Sequence, residues 1–506
     1  METPKQTVFQ QKTILIALCT TSFVVSIDTF IMTNALPTIA KDFGISNAGY
    51  AWIGSAYMLS FGAALPMWAN FSNICGRRAV LITTATIFLI GTIVAGLSRS
   101  NAALIAGRAV QGIGAGGLSV LANIVVGDVF TVRERSVYFG IVGCVAGVAS
   151  SAGPTVGGIL SQVASWRWVF WINLPFIGIA LFVLVLFLRL KTDHAPVISG
   201  LQEIDWAGIL SIIGATLMFL IGLQMGGTIA PWNSIRVILL ILFGIIAYTM
   251  FVVIEWKVAK RPLMPLKLFT RVSYLAIFGV NISQSFITTG CTYFLPLYFQ
   301  IVLGASPIMS GVYFLPTTLV LALSFVFVGH IVKRSGEYKL LVQVGACALV
   351  VSTGLFIHLG SHLDWPAMII GQILVACGLG LTYRAPLIAL HAQLEEEDVA
   401  NGTATFQLLK TLSQTISVIL GQVIFQAKVQ KQISSLGGLD LAPGFLLALS
   451  SGNTISVSSS IASMGIEQQG AVRGVLAAAF SEMWIFYLLI AFGGFVSSFY
   501  IAKAKF

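Results

Sequence analysis

Apolar residues run through this chain in stretches of ~17–25 positions separated by short polar turns, the length a helix needs to cross a hydrocarbon core. Such runs fall near 13–36, 50–71, 79–98, 103–127, 138–162, 168–190, 204–224 and 236–256. Six more lie near 274–299, 308–330, 339–359, 366–390, 404–427 and 479–502. The pattern predicts an all-α membrane protein of about 14 transmembrane helices in one bundle. Glycine or polar residues interrupt the fourth, fifth and ninth runs, so an altered count would arise there. The first run follows the short polar stretch Met1 to Lys12 and is too long for a signal h-region, which predicts a first membrane helix rather than a cleaved leader.

Composition agrees with a lipid solvent. Hydrophobic residues are 57%, charged residues 9% and mean hydropathy is +0.93, against about 25% charged in soluble domains. The net charge of +10 does not indicate nucleic acid, because the basic residues sit in short loops rather than in a patch. With both termini on the cytoplasmic side, about 18 loop lysines and arginines fall inside and 7 outside, a strong positive-inside bias. Arg108, Arg384 and Lys410 fall within the spans. Six cysteines (Cys19, Cys75, Cys144, Cys291, Cys347, Cys377) are scattered without paired spacing and read as small buried hydrophobes, neither a disulfide framework nor a metal site. The acidic run Glu395–Glu396–Glu397–Asp398 reads as a solvated cytoplasmic loop, with a gate as the alternative.

An internal repeat organises the chain. Ala69–Asn73–Gly76–Arg77–Arg78 has a counterpart at Gly329–Lys333–Gly336–Glu337–Tyr338, and Gly107–Arg108…Gly114–Ala115–Gly116 matches Gly371–Gln372…Gly378–Leu379–Gly380. The division predicted is an N-terminal six-helix half at 1–200, two additional helices at 201–262, and a C-terminal half at 263–506 with a long outer loop at 428–478. Internal repeats recur in secondary transporters, whose substrate site lies between the repeats.

Asp28 is the first candidate for chemistry. A carboxylate in an apolar span costs at least ~2.5 kcal/mol on insertion scales, so it should face the bundle interior or a wet cavity, where it is a candidate proton carrier. A structural hydrogen bond to a neighbouring helix is the alternative. Counting ~1.5 Å per residue from the outer helix ends puts Asp28 about 13 Å deep and Arg108 about 9 Å, which permits an ion pair. A guanidinium does not titrate in practice, so Arg108 would tune the carboxylate rather than carry the proton, or brace it statically. Asn73, Gly76, Arg77 and Arg78 form a tight cytoplasmic turn that is a candidate conformational switch, with a role as topology determinants alone as the alternative. Gly143, Gly147, Gly153, Pro154, Gly157 and Gly158 form a ladder in the fifth span that suits either close helix packing or a hinge. Gly112-x-Gly114-x-x-Gly117 matches a dinucleotide fingerprint in spacing but lacks the preceding strand. His358 and His362 read as an interfacial helix end.

These residues resemble the major facilitator superfamily, in particular its fourteen-helix drug:proton antiporter family. Ile27 through Pro37 looks like that family's first-helix motif, Asn73-Ile74-Cys75-Gly76-Arg77-Arg78 like the superfamily's loop signature, and Leu104-x-x-x-Arg108-x-x-Gln111-Gly112-x-Gly114 like its fourth-helix motif. Gly147 through Gly158 resembles the fifth-helix exporter motif, and Trp166 through Pro175 looks like the fungal toxin-efflux branch. The resemblance implies a major-facilitator-type bundle of two six-helix halves plus two linker helices, working by alternating access. It implies proton coupling through Arg108 and a direction of transport set by the glycine ladder. By the same resemblance Asn34, Gln111, Gln284, Tyr293, Gln300, Gln407 and Gln414 are pocket candidates. Where the loop signature usually has aspartate this chain has Asn73, and Ala69 replaces a glycine, so the latch that the aspartate forms with the arginines is expected to be weaker.

The reading that follows is a plasma-membrane secondary transporter, working as a monomer. It exports small amphipathic organic compounds in exchange for protons, with no cofactor beyond the proton gradient. Few fixed charges line the spans, which favours an organic substrate of low charge. Proton-coupled uptake of a siderophore or nutrient is the alternative within transport. The repeat argues against a receptor, and the lack of a His/Cys/carboxylate cluster in the spans argues against a membrane-embedded enzyme.

Overall fold

The computed structural model describes residues 8–43, 47–130, 132–188, 205–226, 230–257, 259, 264, 266–335, 337–361, 364–395, 398–433, 445, 461 and 464–503. Most of the 428–478 loop, both expected boundaries of the linker helices, Gly336, His362, Glu396 and Glu397 lie outside the described residues, as do the side chains of Asn34, Pro154 and Lys333.

Sixteen helices follow one another among the described residues. They are α1 (Val8–Phe43), α2 (Asn47–Cys75), α3 (Arg77–Gly96), α4 (Asn101–Val129), α5 (Val132–Val163), α6 (Trp168–Trp171), α7 (Asn173–Phe187) and α8 (Trp206–Met225). Then come α9 (Ile235–Lys257), α10 (Val272–Ile301), α11 (Pro307–Ser335), α12 (Lys339–Ile357), α13 (Trp365–Tyr383), α14 (Ala385–His391), α15 (Val399–Gln432) and α16 (Ile466–Phe499). In lipid a helix satisfies its own backbone, which is why so apolar a chain folds this way. Polar caps hold several ends: Ser100 accepts from the Ala103 N–H, Asp205 from Gly208 and Asp364 from Ala367. Because α6 and α7 meet through a helical Ile172, and α14 continues α13 past one residue, these sixteen make fourteen rods, the number expected.

The interruptions fall elsewhere than the glycines suggest. Helices α4, α5 and α10 are continuous, whereas the twelfth run breaks at Arg384 (φ −114°, ψ −25°). Pro386 explains the break, since it has no N–H to donate and its ring crowds the carbonyl at Thr382. Glycine instead marks where helices touch. A Cβ at Gly112 would lie 2.3 Å from the Tyr57 carbonyl oxygen, and one at Gly114 2.5 Å from the Phe88 nitrogen. The fingerprint-like spacing is thus the seam of α4 against α2 and α3. Its repeat behaves alike: a Cβ at Gly378 would meet the Gly345 carbonyl at 2.8 Å where α13 crosses α12. The last helix starts at Ile466, well before the apolar run at 479, because its first turns carry Glu467, Gln468, Gln469 and Arg473 beyond the apolar band. Cys291 is buried as expected, but Cys347 is exposed on α12. An apolar solvent lets a small thiol face outward at little cost.

Packing sorts the rods into groups. In the first, α5 and α7 pack on α1, and α4 packs on α2 and α3; in the last, α10 packs on α15 and α16, and α12 on α13 and α16. Helices α8 and α9 pair with each other, dock through α8 onto α2, and turn Ile238, Leu242, Ile245 and Val253 of α9 outward, as lipid-facing positions do. The first and last groups meet where α5 packs on α11 and α2 on α15. Their apolar core is shared at one end only. Ile14, Leu18 and Leu188 join Leu268, Tyr338 and Ile501 in one cluster at the end where the chain termini lie, called here the termini face. Toward the opposite face each group has its own core, around Ile31 and Phe170 in the first and around Phe294 and Trp484 in the last.

Candidate functional site

The first group buries one charged network. Asp28 and Arg108 are 0% and 1% exposed, and Arg108 Nη1 donates to Asp28 Oδ2 at 2.6 Å. The other carboxylate oxygen accepts from Gln111 Nε2 at 3.0 Å and from Asn173 Nδ2 at 2.8 Å. Gln111 in turn accepts from Arg108 Nη1 at 2.8 Å and donates to Thr92 Oγ1 at 3.0 Å. The guanidinium stacks over the Tyr57 ring, 4.2 Å from its centroid, while its Nε has no hydrogen-bond partner. Five helices contribute: α1, α2, α3, α4 and the start of α7. Such a site can exist in apolar surroundings because both carboxylate oxygens meet donors, two on Oδ1 and the Arg108 guanidinium on Oδ2. Sequence reasoning found Asp28, Arg108 and Gln111 but not Thr92 or Asn173. Asn173 was legible in principle, as an amide inside an apolar run.

The glycine ladder of α5 has two faces. A Cβ at Gly157 would sit 2.0 Å from the Ile31 carbonyl oxygen, and one at Gly153 3.0 Å from Phe30, so this part lets α5 lie directly on the Asp28 helix. Gly143 and Gly147 instead face Phe325 of α11, at 3.7 and 3.4 Å, across the junction between the groups. Gly158 is half-buried.

At the termini face, Gly76 takes the left-handed turn (φ 83°) that links α2 to α3. Arg77 Nη1 donates to Asn73 Oδ1 at 2.6 Å and to Ser72 Oγ at 2.7 Å, and Arg77 Nε donates to Asp128 Oδ2 at 2.9 Å. The carboxylate missing at position 73 is therefore supplied by the end of α4, a partner sequence reasoning did not see. Arg78 donates to the Val185 carbonyl of α7. Lys267, ahead of α10, pairs with Asp398 and lies 3.9 Å from Glu395. The Asp398 carboxylate, hydrogen-bonded to it, holds the Lys267 ammonium above its ordinary range. That part of the acidic run is anchored rather than freely solvated. The Arg77–Asp128 pair is half-exposed, so it is worth about 0.2–1 kcal/mol. Asp128→Asn is expected to slow transport a few-fold, and the Arg77→Ala/Asp128→Ala double variant to be no slower than Arg77→Ala alone, measured as initial rates.

Hydrogen bonds between the groups cluster in the half of the bundle nearer the termini face. Asn73 Nδ2 donates to Asn401 Oδ1 (3.3 Å), Gln407 Nε2 to Ser119 Oγ (3.1 Å), and Arg384 Nη1 to Asn123 Oδ1 (2.6 Å). Of the seven pocket candidates, Gln407 thus lies at this seam and Gln111 in the Asp28 network. Gln284 is buried and donates to Thr288 Oγ1 at 2.7 Å, Gln300 is half-buried with Ser310 Oγ at 3.4 Å, and Gln414 is half-buried. Tyr293 is 46% exposed. Gln284 and Gln300 are about 24 Å apart along α10 at 1.5 Å per residue, so the set does not converge on one spot. Asn34 lies outside the described side chains.

Comparison with known proteins places this architecture. A family model for the Major Facilitator Superfamily matches residues 18–418. The efflux pump dotC of Dothistroma septosporum (strain NZE10 / CBS 128990) is 38% identical over 492 residues, covering 97% of this chain and 84% of that protein. The MFS-type transporter ppz2 of Metarhizium majus (strain ARSEF 297) is 39% identical over 474 residues, covering 94% and 82%. Among solved structures, the human organic anion transporter MFSD10 (TETRAN) aligns with a TM-score of 0.57 at 14% identity, covering 95% of this chain and 98% of that one. The proton:xylose symporter XylE aligns at 0.58 and 13%, covering 94% and 98%. Those two likenesses concern the fold. The fourteen rods, the buried polar network and the sequence match agree: the chain is a multi-pass membrane transporter belonging to the Major Facilitator Superfamily.

Proposed function

We infer that this transporter exports small amphipathic organic compounds in exchange for protons, with Asp28 as the proton-accepting group. The observation that carries the reading is the fully buried Asp28–Arg108 pair, in which a proton on the carboxylate competes with Arg108 for Oδ2. Protonation weakens that pair and frees the guanidinium, whose Nε is already without a partner. Loss of the proton restores it. Because α5 rides directly on α1 through Gly153 and Gly157, a shift of Asp28 passes to α5 and from there to α11 at Gly143 and Gly147. The two groups would rock about these contacts, with the substrate path between them.

The positive-inside pattern supports the termini face as cytoplasmic, so the seam at Asn73, Gln407 and Arg384 would close the cytoplasmic side in this conformation. The plasma membrane as location and the monomer as working unit belong to the same reading. Direction rests on the relatives that are named efflux pumps, to which this chain is similar over nearly its whole length.

The test uses everted membrane vesicles acidified inside and loaded with a pH dye. Antiport moves a neutral probe such as Nile red into the vesicle while the acidic interior turns alkaline faster than in empty controls, and a protonophore stops both. Probe and protons leaving the vesicle together would establish symport in the uptake direction instead.

A further inference from the structure

Among the described residues, the seam between the groups holds two cations with no carboxylate paired to either. Arg384 lies at the break between α13 and α14, and Lys410 lies within α15. Counting ~1.5 Å per residue from His391 and Val399 puts them about 10 and 16 Å from the termini-face ends of their helices, inside the span. Among the described residues neither has a carboxylate partner, and their electrostatic neighbours are each other and Tyr383. Lys410 Nζ sits 3.8 Å from the centroid of the Tyr383 ring, and the Arg384 guanidinium 5.2 Å from it and 5.5 Å from that of Phe139. Arg384 spends Nη1 on Asn123 of the first group, and its Nε has no partner.

This arrangement is costly. A cation in a membrane span normally faces a carboxylate or a carbonyl, and two beside each other repel. Asp28, the carboxylate buried within the first group, is committed to Arg108. Both residues nonetheless keep part of their side chains accessible, as do Tyr383 and Gln407, so they border space rather than solid core. A pair of unneutralised cations flanked by aromatic faces, at the seam between the moving groups, is the complement of an organic anion.

We propose that Arg384 and Lys410, with the Tyr383 ring, form an anion-recognising subsite, and that the preferred substrate is an amphipathic organic acid carrying a carboxylate or ionised phenol on an apolar, aromatic-compatible body. This rests on the export reading and replaces the expectation of a substrate of low charge. The cations supply charge-assisted hydrogen bonds to the acidic head, while the partly accessible Tyr383 ring supplies flat apolar surface for the body. The Arg384–Asn123 bond ties the groups together in the conformation observed. When the termini face opens, that bond breaks and Arg384 gains the donors to capture the anion.

The experiment measures binding to the full chain in lipid nanodiscs, using pyrene-1-butyrate and its neutral amide. The wild type is expected to bind the acid about tenfold or more tightly over the amide. Arg384→Gln and Lys410→Gln are each expected to erase most of that preference without weakening the amide, and Lys410→Arg to keep it. Equal affinity of the wild type for acid and amide overturns the proposal, whether or not the glutamine variants fold. So does a preference that survives in both glutamine variants, or a loss that strikes acid and amide alike in a folded variant. Proton-driven movement of pyrene-1-butyrate is scored separately in the everted vesicles. Its failure with the acid preference intact sinks the export reading alone, and the reverse sinks the anion subsite alone.

Discussion

Arg108→Ala is expected to abolish proton-driven transport and to lower thermal stability in detergent by an amount equivalent to about 3–5 kcal/mol, the cost of leaving one partner of a buried pair alone. Asp28 would then carry an unpaired charge in the bundle interior or hold a proton throughout the cycle, and either state removes the competition that couples proton to movement. Arg108→Lys keeps the charge but loses the planar fork and the stack on Tyr57, so partial stability without coupling is expected. The informative variant removes both charges. Asp28→Asn/Arg108→Gln is expected to recover most of the lost stability and none of the proton-driven transport. Recovery of transport along with stability would reduce the pair to a brace.

Gly157→Ala is the second large effect expected. Its Cβ would fall 2.0 Å from the Ile31 carbonyl oxygen, a backbone atom that cannot rotate away. Overpacking of this kind costs about 1–3 kcal/mol where side chains can adjust, and more where they cannot. Helix α1 must move off α5, and Ile31 is one helical turn from Asp28, so the displacement reaches the proton site. Transport is expected to fall by about tenfold or more, by analogy with the sensitivity of reacting groups to small misplacements. Gly354→Ala, on α12 with nothing within 4 Å, is the matched control and is expected to change neither rate nor melting temperature. Equal effects at the two positions would mean the close approach is not what Gly157 is for.

The parts of this molecule legible in the sequence are those where a residue contradicts its surroundings. Asp28 and Arg108 stood out because charge is expensive in an apolar run, and the fourteen rods because span length is set by the bilayer. Partners across helices were not legible. Asp128 could not be assigned to Arg77 because they are brought together by the crossing of α3 and α4, which no periodicity encodes. Glycines could be read as close-contact residues but not as belonging to two faces, with Gly157 against α1 and Gly147 against α11. They also misled, since a glycine-rich run looks broken while Pro386, two residues past Arg384, makes the actual break. Arg384 and Lys410 were visible as intramembrane cations, yet only their meeting over the Tyr383 ring gives them a shared meaning. Glutamines carry less of this signal, because glutamine satisfies itself locally as readily as it lines a cavity, as Gln284 does with Thr288.

The central claim is that Asp28 carries the proton, and the most direct test separates movement from coupling. Purified Asp28→Asn and wild-type protein would be placed in proteoliposomes with a tritiated probe substrate. Net transport is measured across an imposed pH gradient, and one-for-one exchange is measured with equal pH on both sides. The account predicts that the variant loses gradient-driven net transport while still exchanging labelled for unlabelled substrate at a rate near the wild type's. Gradient-driven transport that survives in Asp28→Asn, with a matching flow of protons, would contradict it and put the proton site elsewhere in the bundle.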